Sequence, residues 1–62
     1  MFEKLAKLMQ ERNLTIFQLS KETGIPQTTL YEWKAGKYKP KTEKILLLAD
    51  YFGVTMEYFL RD

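Results

Sequence analysis

Apolar residues recur along the chain at three- and four-residue spacing in separate stretches, and no stretch alternates with period two for the length of a strand. Phe2, Leu5, Leu8 and Met9 form the first stripe and predict an amphipathic helix over residues 2–12, broken at Asn13-Leu14. Thr15 stands three residues ahead of Gln18, the capping-box pattern that satisfies two orphan amide donors reciprocally, so a second helix is expected over 16–23. Gly24 suits the left-handed conformation that ends helices. Pro26 forces Ile25 out of helical geometry and itself fits a first helical turn, which places a third helix over 27–35, closed by Gly36. The stripe Ile45, Leu48, Ala49 and Phe52 marks a fourth helix over 42–52, ended by Gly53. Thr55 can cap a short fifth helix over 56–61 whose inward residues are Met56, Phe59 and Leu60. The expectation is an all-α fold, a compact five-helix bundle in one domain of residues 1–62.

The link between the second and third helices is only about three residues, and a link that short usually sets two helices at about 90–120°. At about 100° per residue, Leu30 and Trp33 define the inward side of the third helix. Opposite them fall Thr28, Tyr31, Glu32 and Ala35, with Gln27 on the leading edge. Any surface helix has a wet side, and solvation alone would explain one. Two neighbours change the picture here: the steep link makes the helix start project, and the loop that follows, Gly-Lys-Tyr-Lys-Pro-Lys, is rich in lysine with a tyrosine interleaved.

Composition narrows the chemistry. The 62 residues allow one small core and contain neither cysteine nor histidine, so disulfides, thiolate metal sites and the commonest general base are all excluded. No metal and no cofactor are expected. The remaining carboxylates Glu3, Glu11, Glu22, Glu43 and Asp50 sit at surface-like positions, and a pocket of about 300 Å³ is hard to form among five short helices. Catalysis is therefore not expected. The longest apolar run, Ile45 to Ala49, is far from the roughly 20 residues of a membrane span. The charged start makes a poor signal peptide, and the lack of cysteine makes a reducing cytoplasm the expected location.

Charge is unevenly spread. Lys34, Lys37, Lys39 and Lys41 face only Glu32 between residues 25 and 41, a local balance of +3, whereas residues 42–62 carry −2. Such a dipolar layout suits a polyanion met in one orientation. An α-helix fits the major groove of B-DNA with its N-terminal residues at the base edges. Gln27 has the amide geometry for adenine, and Thr28 offers a methyl to thymine and a hydroxyl to either partner. Glu32 can accept from a cytosine amino group, or serve to reject sequences that lack a donor. Lys37 and Lys39, with Tyr38 between them, are placed for phosphate oxygens, which give affinity and register but little sequence information.

The ordered motifs LTIFQLSKETGIPQTTLYEWKAGKYKP and LLLADYFGVTMEYFL resemble the helix-turn-helix domain of the Cro/CI phage-repressor family, the lambda-repressor-like or xenobiotic-response-element type, over nearly the whole chain. The resemblance implies sequence-specific binding of double-stranded DNA and transcriptional regulation, typically by a phage or bacterial repressor in the bacterial cytoplasm and nucleoid or a phage-infected host. Gln27, Thr28 and Glu32 match the family's base-reading positions, with Tyr31 between them. Thr15, Ile16 and Phe17 look like the segment resting on the sugar-phosphate backbone, and Lys37, Tyr38 and Lys39 like the phosphate-contacting loop. The family also implies a homodimer on a two-fold or pseudo-two-fold operator, formed by the last two helices and their turn; Leu47, Tyr51, Val54, Met56 and Tyr58 are the candidates.

Three positions depart from the family pattern. Ile16 replaces a polar residue that braces the first base reader, and is expected to pack on the stem of Gln27. Met9 and Lys34 replace an Arg–Glu pair, which leaves an apolar contact along the methylenes of Lys34 and frees its ammonium for DNA or solvent. Leu47 stands where a polar residue is usual, as surface scatter or as part of a subunit contact. The competing reading is a protein-interaction module, with Leu47, Tyr51, Met56 and Tyr58 as a patch for a toxin, an antirepressor or another subunit. Salt separates the two, because DNA affinity falls steeply with ionic strength.

Overall fold

Each expected stretch is a helix in the computed structural model, which describes residues 1–61: α1 Phe2–Glu11, α2 Ile16–Thr23, α3 Gln27–Lys34, α4 Thr42–Phe52 and α5 Met56–Leu60. Asp62, the last residue of the expected domain, lies outside the described residues. Helices α1, α3 and α5 stop one residue short of the expected ends. Arg12 and Ala35 lie in the last, loosened turn, where the boundary is a matter of one hydrogen bond, while Arg61 is extended at φ −79°, ψ 146°.

Local chemistry accounts for the starts and stops. The hydroxyl of Thr15 accepts from the Gln18 amide at 3.1 Å and the Gln18 side-chain oxygen accepts from the Thr15 amide at 2.9 Å, closing the capping box of α2. At its other end Gly24 takes φ 80° and donates its N–H to the Ser20 carbonyl at 2.8 Å. A β-carbon at Gly24 would meet nothing within 4 Å, so the glycine is required by its backbone conformation and not by space. Ile25 follows, fully buried, with its N–H donating to the Thr23 hydroxyl at 3.3 Å. The exit from α1 uses Asn13 instead of glycine: at φ 56° it lets the Leu14 amide reach the Met9 carbonyl at 2.8 Å.

The core is built from every helix. Leu5, Leu8, Leu19, Ile25, Leu30, Leu48, Phe52 and Phe59 are all buried in one cluster with Met9, Trp33, Ile45 and Ala49. Leu60 corrects the expectation for α5, being 62% exposed. The inward direction of that helix centres on Phe59 with Met56 and Tyr58 half-buried on its flanks, and Leu60 is rotated a further 100° away. Trp33 is buried as its spacing demands, yet its indole N–H meets no acceptor among the described residues.

Polar clasps join the elements from outside the core. The guanidinium of Arg12 donates to the Phe52 carbonyl at 2.9 Å and the Tyr51 carbonyl at 3.4 Å, placing positive charge at the negative end of α4. It also lies 4.9 Å from the Phe52 ring centroid. Tyr51 donates its O–H to Glu22 at 2.5 Å, tying α4 to α2. Lys4 donates to the Arg61 carbonyl and sits 5.6 Å from the Tyr58 ring, holding α5 to α1.

Two stability predictions follow from these contacts. Trp33→Ala should lower unfolding free energy in denaturant by about 3–5 kcal/mol, whereas Trp33→Phe, which also removes the unpartnered donor, should lose much less. A wild-type-like midpoint for the alanine variant would place the ring outside the core. The bond to Glu22 raises the Tyr51 pKa above its ordinary value of 10.0, aided by desolvation and the carboxylate charge against a weaker pull from Arg12. The folded state therefore holds this proton more tightly, so the stabilisation is complete below about pH 10 and lost as pH rises through the folded value. The stability gap between wild type and Tyr51→Phe should be constant below about pH 10 and shrink as pH rises above it; a gap that stays constant above about pH 10 contradicts proton linkage at this bond.

Candidate nucleic-acid interface

The site begins at the turn. With Ile25 sealed into the core, α3 leaves it with Leu30 and Trp33 inward and Thr28, Tyr31, Glu32 and Ala35 outward. Gln27 and Thr28 are exposed, Tyr31 is 53% exposed and Glu32 is half-buried. Pro26 caps α3 without a side-chain hydrogen bond, and no acidic residue occupies its first turn, so those amides keep their attraction for an anion.

The end of α3 is as consequential as its start. Gly36 at φ 77° donates to the Trp33 carbonyl at 3.1 Å while Lys37 donates to the Glu32 carbonyl at 3.0 Å, the paired bonds of a Schellman motif. The chain reverses there and lays residues 37–40 beside the last turn of the helix. Tyr38 lines a cleft of about 150 Å³ with Thr29, Trp33, Pro40 and Lys44. Its O–H donates to Glu32 Oε1 at 2.5 Å, and that bond, ahead of desolvation and the carboxylate charge, raises the phenol pKa above 10.0 against a smaller pull from Thr29.

Lys34, Lys37, Lys39 and Lys41 are all exposed. Among the described residues the one ion pair within 4.0 Å is Arg61–Glu57 at 3.7 Å, so these four ammonium groups are committed to no carboxylate. Glu43, Asp50 and Glu57, the acidic side chains of α4 and α5, are exposed as well. The structure thus gathers the basic charge around the end of α3 and its loop.

The other expected contacts occupy the start of α2. Thr15 and Phe17 are exposed, and Ile16 is half-buried against the core. Ile16 shares a depression of about 350 Å³ with Met9, Leu14 and Lys34. The Phe17 ring carries the Lys21 ammonium 5.7 Å from its centroid, a pairing one helical turn apart that the spacing alone could have disclosed.

At the far end, Leu47 is 38% exposed, but Tyr51, Val54, Met56 and Tyr58 are half-buried and packed against the core. Apolar exposure there falls instead on Leu46 (48%) and Leu60 together with Leu47. Leu46 went unremarked in the sequence although its position, one residue past Ile45, already put it off the buried stripe. A pocket of about 300 Å³ was expected to be hard to form, yet an open depression of about 360 Å³ lies among Met1, Phe2, Trp33, Gly36 and Lys39. Volume therefore does not separate this protein from an enzyme; the chemistry of the side chains must. Among the described residues no cluster of three or more carboxylates capable of holding a metal is found, and no helix is long and apolar enough to cross a membrane.

Comparison with known proteins agrees with this architecture. The helix-turn-helix family pattern matches residues 5–59. The HTH-type transcriptional activator BcrR of Enterococcus faecalis is 33% identical over 58 residues, covering 94% of this chain and 28% of that protein. The uncharacterized HTH-type transcriptional regulator YobD of Bacillus subtilis is 29% identical over 58 residues, covering 94% of this chain and 52% of that protein. The chain thus spans about half or less of the length of these curated relatives. It belongs to the helix-turn-helix family.

Proposed function

We propose that this helix-turn-helix protein binds double-stranded DNA in a sequence-specific manner and thereby regulates transcription, with α3 lying in the major groove. The observation that carries the reading is the outward face of Gln27, Thr28, Tyr31 and Glu32 beside a loop of lysines that pair with no carboxylate among the described residues. Gln27 and Thr28, at the leading end of α3, reach base edges first. Thr15, Ile16 and Phe17 rest against the sugar-phosphate backbone at the start of α2. Lys34, Lys37 and Lys39 supply the phosphate contacts that set affinity and register.

Two copies would occupy a two-fold or pseudo-two-fold site through α4, α5 and the turn between them, where Leu46 extends the candidates Leu47, Tyr51, Val54, Met56 and Tyr58. A docked domain of this kind represses by excluding polymerase. BcrR is named an activator, and the same docked geometry serves that outcome when a bound protein recruits polymerase instead. An antirepressor is the class of protein partner that would release such a domain from DNA.

Selection of sites from a random duplex pool at fixed salt tests the reading. It should return a two-fold motif with half-sites about 34–36 Å apart. Gln27→Ala should cost about 1–3 kcal/mol on that site and relax selectivity at one base pair, while equal loss on every duplex would remove it from base reading. Lys37→Ala should weaken selected and unrelated duplexes alike and reduce the salt slope by about one; an unchanged slope would take it off the phosphate backbone. Failure to retard any duplex, with a salt-insensitive protein complex instead, would favour the interaction-module reading.

A further inference from the structure

Glu32 is the single carboxylate between Ile25 and Lys41, and it sits among four lysines on the face offered to a polyanion. A negative group there repels phosphate, so its presence is favourable only where a specific donor meets it. An ionised carboxylate accepts only, and among the exocyclic groups of the major groove it suits an amino group, that of cytosine or of adenine. A glutamate on an exposed helix face ordinarily samples many rotamers, and with lysines close by it could as readily turn toward an ammonium. Here it forms no ion pair within 4.0 Å among the described residues and instead receives the phenol of Tyr38 on Oε1 at 2.5 Å.

The geometry that brings Tyr38 there is fixed by the backbone. The left-handed Gly36 and the Lys37-to-Glu32 amide bond turn the chain back at the residue whose side chain is being held. The Tyr38 ring, 49% exposed, lines a shallow cleft with Thr29, Trp33 and Pro40. The donor is therefore placed by the closed helix end, with its half-exposed ring bordering the cleft.

We propose that Tyr38 is the positioning residue for Glu32: its O–H holds one carboxylate oxygen and leaves the other aimed from the outer face of α3 at a base amino group, so that selectivity at that base pair depends on the loop as well as the helix. The inference rests on the DNA-binding reading above. It also removes Tyr38 from the phosphate contacts expected of the loop. A phenol has one proton to donate, and a phosphate oxygen cannot receive it while Glu32 does. The division of labour then becomes sharper: Lys37 and Lys39 grip the backbone, and the tyrosine between them serves the base reader.

The test uses the duplex selected from the random pool, the same duplex with each base pair changed in turn, and an unrelated duplex, all at one salt concentration. Tyr38→Phe keeps the ring and removes only the donor. It should reduce discrimination at one base pair by about two- to tenfold, the range expected when a rotamer-rich side chain loses its preorganisation. Affinity for the unrelated duplex and the salt slope should not move. In a Glu32→Ala background the same change should have no further effect on discrimination. A uniform loss on every duplex would overturn the proposal and return Tyr38 to the phosphate backbone. Retained discrimination in Tyr38→Phe would overturn it while leaving DNA binding intact, and a wild-type protein that discriminates between no duplexes would defeat both readings together.

Discussion

The turn Gly24-Ile25-Pro26 is the constraint on which the rest depends. Its glycine is held in a conformation that other residues adopt at a cost of about 1–2 kcal/mol, its isoleucine is fully buried, and its proline starts α3 without a side-chain cap. Sealing Ile25 fixes where α3 leaves the core. Leu30 and Trp33 then take the inner side, and the polar side chains of the same helix have only solvent, or a ligand, to face. Were the link longer, the helix could lie flat against its neighbour and the outer face would not project.

A second consequence runs through the other end of α3. The Schellman closure at Gly36 folds the lysine-bearing loop beside the helix instead of away from it, so charge and wet face share one side of the molecule. Affinity and selectivity are then carried by different chemistry. Ammonium groups with no carboxylate partner among the described residues attract the polyanion without regard to sequence, whereas amide, hydroxyl and carboxylate groups on the helix have directional demands. The clasps formed by Arg12, Tyr51 and Lys4 tie α1, α2, α4 and α5 together.

Much of the fold was legible because it is written in local terms. The Thr15–Gln18 box, the Gly24 stop and the inward pair Leu30 and Trp33 each depend on residues within one or two turns. Exact helix ends were less so, because Arg12 and Ala35 are nearly helical and only their left-handed successors reveal the stop. Leu60 was misplaced because a five-residue helix is too short for its stripe to define a direction, and Phe59 alone sets it. Contacts between distant residues had no signal at all. Nothing in the spacing links Tyr51 to Glu22 across 29 residues, and Tyr38 could meet Glu32 only after the turn at Gly36 reversed the chain. For the candidate interface, the face of α3 was visible as a pattern, but the hydrogen bond that organises its carboxylate was not.

The most direct examination of the groove assignment replaces single ring nitrogens of the selected duplex. Purine N7 lies in the major groove and adenine N3 in the minor groove, so 7-deazapurines and 3-deaza-adenine each remove one acceptor without changing base pairing. With α3 docked by its outer face, one or more 7-deaza substitutions within a half-site should weaken binding and 3-deaza-adenine should leave it unchanged. Sensitivity confined to the minor-groove nitrogen would contradict the placement of α3 and every role assigned to its outer face.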